Sequence, residues 1–325
     1  MTVALVVPSC REEQVVQFLL AWRGQAMEAG VRVYIVEDGP ARTFDLPRDG
    51  GAVEHLCWAD APGGMLACIN VHTPGCRQIG IFRAHADGAE AIVTLDDDVR
   101  PAEGHNAFEA FREVLTRGVP VWVDPLLNYR SRGYPERNHG LVPIAFHVGS
   151  FLTIPDVDGE TQLRHAAEFG ERPPQYVPRP TIVPARQLIP VNGGVCGWTR
   201  EVTPYVHYTV WDEELGYRRF DDIWMGIILK RLLDHCGLAM SYGPPCVHHV
   251  RASNAERNAR LEANAKQFNE TFWSWLDRAL VDALNPAERS LASTWRAIAG
   301  ALLQMDNRWA RREGECMLRW REFFA

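Results

Sequence analysis

Residues 91–99 read AIVTLDDDV, and the fold turns on this stretch. The first five positions are small, β-branched or aliphatic, the composition of a short buried strand. Three carboxylates follow at once, at the strand's carboxyl end, which is where open α/β sheets bind ligands. Adjacent carboxylates repel one another, so a cation is needed to hold them together. Hard oxygen donors at a strand–loop junction suit Mg²⁺ or Mn²⁺. An isolated acidic triplet is more often a solvated turn. The strand in front of this one favours a ligand site.

The same alternation extends on both sides. Residues 2–7 (TVALVV) form an apolar run closed by Pro8-Ser9. Residues 12–29 carry apolar side chains at helical spacing, and 31–36 (VRVYIV) form the next strand, closed by EDGP. Helices are predicted over 77–88 and 107–116, with a strand over 119–123. Strands alternating with helices imply a parallel sheet. Residues 125–190 are rich in Pro, Gly, Arg and aromatics without periodicity. They read as an irregular, site-forming segment, with 132–150 as a lid. A helix is predicted over 222–234 and a strand over 245–250. Three helices follow from 254 and bear Trp273, Trp275, Trp295, Trp309 and Trp320. These tryptophans either pack into the core or build a homo-oligomer contact. The expected division is 1–253 as the catalytic domain and 254–325 as a helical segment.

Composition narrows the function. The chain has 325 residues, 34 basic and 41 acidic, for a net charge of −7, so a general nucleic-acid binder is not expected. No run of about 18 apolar residues occurs, so no membrane span is expected. The N-terminus has neither the basic nor the long apolar region of a signal peptide. Lys230 and Lys266 are the only lysines, which leaves little scope for Schiff-base chemistry. Eight scattered cysteines contain no CxxC pair, which fits a reducing cytoplasmic setting. Neither GxGxxG nor GxxxxGK[ST] occurs, so NAD, a Rossmann-bound flavin and a P-loop are not expected.

Other residues join the acidic triplet as candidates. Asp221-Asp222 opens a predicted helix, where one acid serves the helix end and the other is available to a site. His248 and His249 alternate faces on a strand, so one of them can be a third metal ligand. Arg11, Arg77 and Arg83 lie near strand ends and suit a pyrophosphate. The pairs Gly63-Gly64 and Gly193-Gly194 allow a ligand close to the backbone.

The order VVPSCRE (6–12), IVEDGP (35–40), CRQIG (76–80) and TLDDDV (94–99) resembles the nucleotide-sugar half of a GT-A glycosyltransferase. Further on stand RGYP (132–135), LTIPDVDGETQL (152–163), FDDIWMG (220–226), LLDHCGL (232–238) and HHVRASN (248–254). In that order they resemble the reversibly glycosylated polypeptides, the UDP-arabinopyranose mutase family. The resemblance covers roughly 3–275. It implies an α/β, GT-A-like (Rossmann-like) fold: a mixed, mainly parallel sheet flanked by helices, with a helical C-terminal extension. It implies a nucleoside diphosphate sugar as substrate and a divalent metal, Mn²⁺ or Mg²⁺, with no flavin. The implied reaction is pyranose–furanose interconversion, or alternatively sugar transfer to a separate or self acceptor. Asp96 and Asp98, with His249, are the implied metal ligands. Asp38, Arg77 and Asp97 are implied at the nucleotide, where Pro8, Ser9 and Arg11 join them as candidates; Asp221 and Asp222 are implied in catalysis, with Gly193, Gly194 and Asp222 as candidates at the sugar. The family's self-glycosylated arginine follows RGYP. Here ungapped alignment puts His139 at its place and Arg137 two residues earlier, so both are candidates.

Overall fold

The computed structural model describes residues 1–47, 53–104, 106–122, 131–135, 137, 140–152, 156–165, 179–250 and 254–325. The elements run β1 (Val3–Ser9), α1 (Glu12–Glu28), β2 (Arg32–Glu37), β3 (Val53–Leu56), α2 (Arg77–Ala86), β4 (Ala91–Leu95), β5 (Val99–Pro101), α3 (Ala107–Arg117), β6 (Val119–Pro120), β7 (Leu141–Val142), β8 (Ile144–Phe151), α4 (Gly159–Arg164), β9 (Thr181–Ile182), β10 (Val195–Thr199), α5 (Asp221–Cys236), β11 (Ala239–His249), α6 (Ala255–Ala283), α7 (Leu291–Gln304) and α8 (Arg308–Glu322).

Among the described residues the main sheet has the order β3-β2-β1-β4-β10-β8-β11-β5, with β9 beside β11. The pairs β1–β2, β1–β4, β2–β3 and β8–β11 are parallel. The strand β10 runs antiparallel between β4 and β8. This is the expected mixed sheet flanked by helices, with a helical C-terminal segment.

Both sheet faces are covered, which explains the unbroken apolar strands. Along β1, Ala4 and Val6 face the core built with α2, α5 and the C-terminal helices. Val3, Leu5 and Val7 face the core built with α1 and α3. Helix α2 lies so close to the sheet that a Cβ on Gly80 would meet Val6 and Val36 methyls at 2.7 Å. Gly80→Ala is therefore expected to cost about 1–3 kcal/mol, as overpacking does. Urea unfolding checks this, and an unchanged midpoint would mean that α2 moves off freely.

Three expectations need correction. The segment 125–190 is not irregular throughout, because it contains β8, whose Ile144, Ala145, Phe146 and Val148 are buried. For the same reason 144–150 cannot be a lid: it is an interior strand. Its apolar pattern is broken by His147 and Gly149. His147 is nonetheless satisfied inside, by Ser241 Oγ and the Pro244 carbonyl, each at 2.8 Å. The strand expected over 119–123 is a two-residue β6 within the described residues.

Three of the five C-terminal tryptophans are core within the chain, and Trp275 is partly buried against it. Trp295, Trp309 and Trp320 are fully buried, and Trp273 is 43% exposed. Trp309 Nε1 donates to the Val210 carbonyl at 2.6 Å, and the buried Glu313 accepts from the Val210 amide at 2.8 Å. The last helix thus fixes residues 207–211. All eight cysteines are free thiols. No helix among the described residues is long and apolar enough to cross a membrane.

Candidate active site

The acidic triplet closes β4, and its three carboxylates have different surroundings. Asp97 is buried and turned toward β1. It accepts from Ser9 Oγ at 2.5 Å and from Arg11 Nε at 3.1 Å, with a second bond from the Arg11 guanidinium. Asp96 faces Arg77, whose Nη2 donates to it at 2.7 Å. Asp98 stands 3.6 Å from His249 Nε2 at the end of β11. Burial lowers the His249 pKa. The bond to Asp98 and the charges of Asp98, Asp156 and Asp96 outweigh it and hold the imidazole above its usual value.

Arg77 opens α2 and is 3% exposed. Besides Asp96 it donates to the Gly193 carbonyl and, at 2.9 Å, to the Pro74 carbonyl. It lies 5.0 Å over the Tyr208 ring. It therefore joins β4, α2 and the turn before β10.

That turn sits between the two acidic clusters. The Gly193 amide donates to Asp222 Oδ2 at 2.9 Å. A Cβ on Gly193 would meet Tyr208 at 2.8 Å, and one on Gly194 would meet Asp96 Oδ2 at 2.6 Å. These glycines are needed for close approach to the acids. Gly63 and Gly64 are not, since a Cβ there meets nothing within 4 Å.

Asp221 and Asp222 begin α5, where the helix dipole favours negative charge. Asp222 Oδ1 accepts from the Ile223 amide at 2.9 Å, so it also serves the helix end. Burial pushes both carboxyls up. For Asp222 the neighbouring charge of Asp221 adds to this and carries it to about 8.

A cleft of about 230 Å³ joins these residues. Its described lining includes six carboxylates (Asp96, Asp156, Asp158, Asp221, Asp222 and Glu262) against Arg77 and Arg219. The structure brings together Asp96, Arg77, Asp221 and Asp222 in its wall, with Gly193 and Gly194 behind them. Asp97, Asp98, Arg11, Ser9 and His249 form the adjoining strand-end cluster. The buried Pro8 lies in β1 beside them. Asp38 follows β2 and accepts from Trp58 Nε1 and the His72 amide, both at 2.9 Å. Arg83 does not join the cluster; it pairs with Glu54 and Asp87. Arg137 is exposed and is not among the residues lining the cleft. His139 lies outside the described residues. Among the described residues no three His, Cys, Asp or Glu side chains are already disposed to hold a metal ion.

The family model described as "Reversibly glycosylated polypeptide" matches residues 2–324. The chain belongs to that family. Similar proteins include a "Probable UDP-arabinopyranose mutase 1" of Pisum sativum, 29% identical over 83% of this chain and 74% of the relative. The "UDP-arabinopyranose mutase 1" of Arabidopsis thaliana is 29% identical over 83% and 75%. Among solved structures, a glucosyl-3-phosphoglycerate synthase from Mycobacterium tuberculosis in complex with Mn²⁺, UDP and glucosyl-3-phosphoglycerate aligns with a TM-score of 0.43. It is 14% identical, covering 84% of this chain and 79% of that one.

The sequence reading of this family member missed several cleft residues, among them Asn192, Asp156, Arg219 and Glu262. Asn192 donates to Asp156 and accepts from the Gly194 amide, both at 2.6 Å. Asp156 lies inside a motif quoted above, and Arg219 directly precedes the Phe-Asp-Asp run, so both had a local signal. Glu262 had none: it is one of several charged residues on an amphipathic helix.

Proposed function

We propose that this chain is a nucleotide-sugar mutase that interconverts the pyranose and furanose forms of a nucleoside diphosphate sugar. The observation that supports this most directly is the Asp221–Asp222 pair, held by the Gly193 turn in the same cleft as Asp96. The relatives' names make UDP-arabinopyranose the first substrate to test.

The reaction breaks the C1–phosphate bond, lets O4 attack C1, opens C1–O5, and returns the diphosphate to C1. One proton leaves O4 and one arrives at O5, so a single carboxyl serves both transfers. Asp222, with a pKa of about 8, is poised near neutral pH to take and return that proton. Asp221 supplies negative charge beside the oxocarbenium-like C1. The nucleotide end is assigned to Pro8, Ser9, Arg11, Asp38 and Asp97, with Arg77 beneath. Water has to be excluded while C1 is free.

Asp96, Asp98 and His249 would hold Mg²⁺ or Mn²⁺. The two carboxylates are hard oxygen donors that suit such an ion, and the carboxylate excess of the cleft favours a cation beside an anionic ligand. The three side chains would have to close up on it, since no three such groups among the described residues are already disposed to do so. When bound, the ion supplies positive charge for the departing diphosphate. The proposal uses neither flavin nor NAD.

The test is chromatography with mass detection after incubation with Mn²⁺ and a panel of UDP- and GDP-sugars, with no acceptor. A new peak of unchanged mass, lost on adding EDTA, is the expected result. Nucleotide release without an isomer would overturn the mutase reading in favour of transfer. In the same assay Asp98→Ala is expected to lose metal-dependent turnover while its unfolding midpoint stays near wild type. Full turnover of that variant in EDTA would sink the metal assignment.

A further inference from the structure

We propose that Glu262, on the C-terminal helix α6, is a positioning residue that clamps the two acidic walls of the cleft together. Glu262 is 6% exposed and lines the cleft. Its Oε2 accepts from the Gly159 amide at 2.7 Å, at the start of α4. Its Oε1 accepts from Arg219 Nε at 2.8 Å. The first bond fixes the loop 156–158, which carries Asp156 and Asp158. The second fixes the residue two positions before Asp221.

Both ends of the clamp are tightly constrained. Arg219 has a left-handed backbone, with φ of 61°, a conformation that a bulky side chain keeps only when its surroundings impose it. Gly159 sits against α6 so tightly that a Cβ would meet the Ala259 amide nitrogen at 2.3 Å and the Ala255 carbonyl at 2.5 Å. A carboxylate with two oxygens can accept from both donors at once. The C-terminal helix is thus part of the catalytic unit, although no substrate-side motif marks it.

The inference rests on the mutase reading, and the experiment separates the two. In Glu262→Gln the amide keeps only one accepting oxygen, so one wall is released. Gly159→Ala pushes the 156–158 wall off α6 directly, since the added Cβ meets the α6 backbone. Turnover should fall about 10-fold to 100-fold in both, the scale of misplacing a catalytic group by about an ångström. Affinity for UDP alone, whose assigned nucleotide residues lie mainly on β1, β2 and β4, should stay within about twofold. The extra affinity of UDP-arabinopyranose over UDP, measured by calorimetry, should shrink.

Turnover per folded molecule equal to wild type, together with an unchanged sugar increment, would overturn the clamp, leaving Glu262 with a purely structural part that shows only in the unfolding midpoint. A wild type that binds the sugar nucleotide without isomerising it would sink the mutase reading, and the sugar increment would still test the clamp. A wild type that binds neither ligand overturns both.

Discussion

Asp222→Asn is expected to lower isomerisation by about 10²-fold to 10⁴-fold, the usual contribution of a positioned acid–base group. The variant keeps the shape of the side chain and the oxygen that accepts from the Gly193 amide, so substrate affinity should change little. It removes the ability to carry a proton from O4 to O5, together with one of the two backbone amide bonds that the carboxylate accepts. Turnover that survives at the wild-type level would move the proton transfer to Asp221 or Asp156.

The same variant carries a stability signature of known sign. Burial and the charge of Asp221 raise the Asp222 pKa to about 8 in the folded chain, whereas an unfolded aspartate titrates near 4. The folded state therefore binds more protons over that interval. The stabilisation is fully present below about pH 4 and is lost as pH rises through about 8. Wild type should lose stability relative to Asp222→Asn across that window. Denaturant unfolding of both proteins from pH 4 to 9 reads the difference, and parallel curves would show that Asp222 ionises normally.

Arg77→Ala should have the largest effect on stability. The guanidinium is buried beneath the site and is shared among Asp96, the Gly193 carbonyl and the Pro74 carbonyl. Removing one partner of a buried pair costs about 3–5 kcal/mol. Asp96 is 38% exposed on its side chain, so water compensates it in part and the lower end applies. Activity should fall together with stability, because Asp96 and the Gly193 turn both lose their anchor. Arg77→Lys is not expected to rescue either, since an ammonium lacks the planar fork that spans acid and carbonyl. An unfolding midpoint within error of wild type would show that Arg77 is not an anchor.

Much of the site was legible because its chemistry is local in sequence. The run AIVTLDDDV states both a buried strand and a carboxylate cluster. The FDDIWMG stretch states a helix start bearing two acids. Gly193-Gly194 marked a close approach, and the structure shows what approaches: Asp222 from one side and Asp96 from the other. The strand β8 escaped because its partners are β10 and β11, distant segments that satisfy His147 inside a run that looks interrupted. Arg83 misled because a helix face near a strand end was treated as facing the site, while α2 turns it toward Glu54 and Asp87.

The sequence by itself determined the strand–helix alternation of the first third, the strand that ends in the acidic triplet, and the chain's membership in its family, because apolar periodicity and contiguous motifs act within a few residues. The tertiary structure alone decided how the triplet divides, with Asp97 spent on Ser9 and Arg11, Asp96 on Arg77, and Asp98 beside His249. It alone placed Asp156, Arg219 and Glu262 around one cleft. A carboxylate's role depends on its burial and on the charges a few ångströms away, and those neighbours come from elements far apart along the chain, as Asp98 and His249 do.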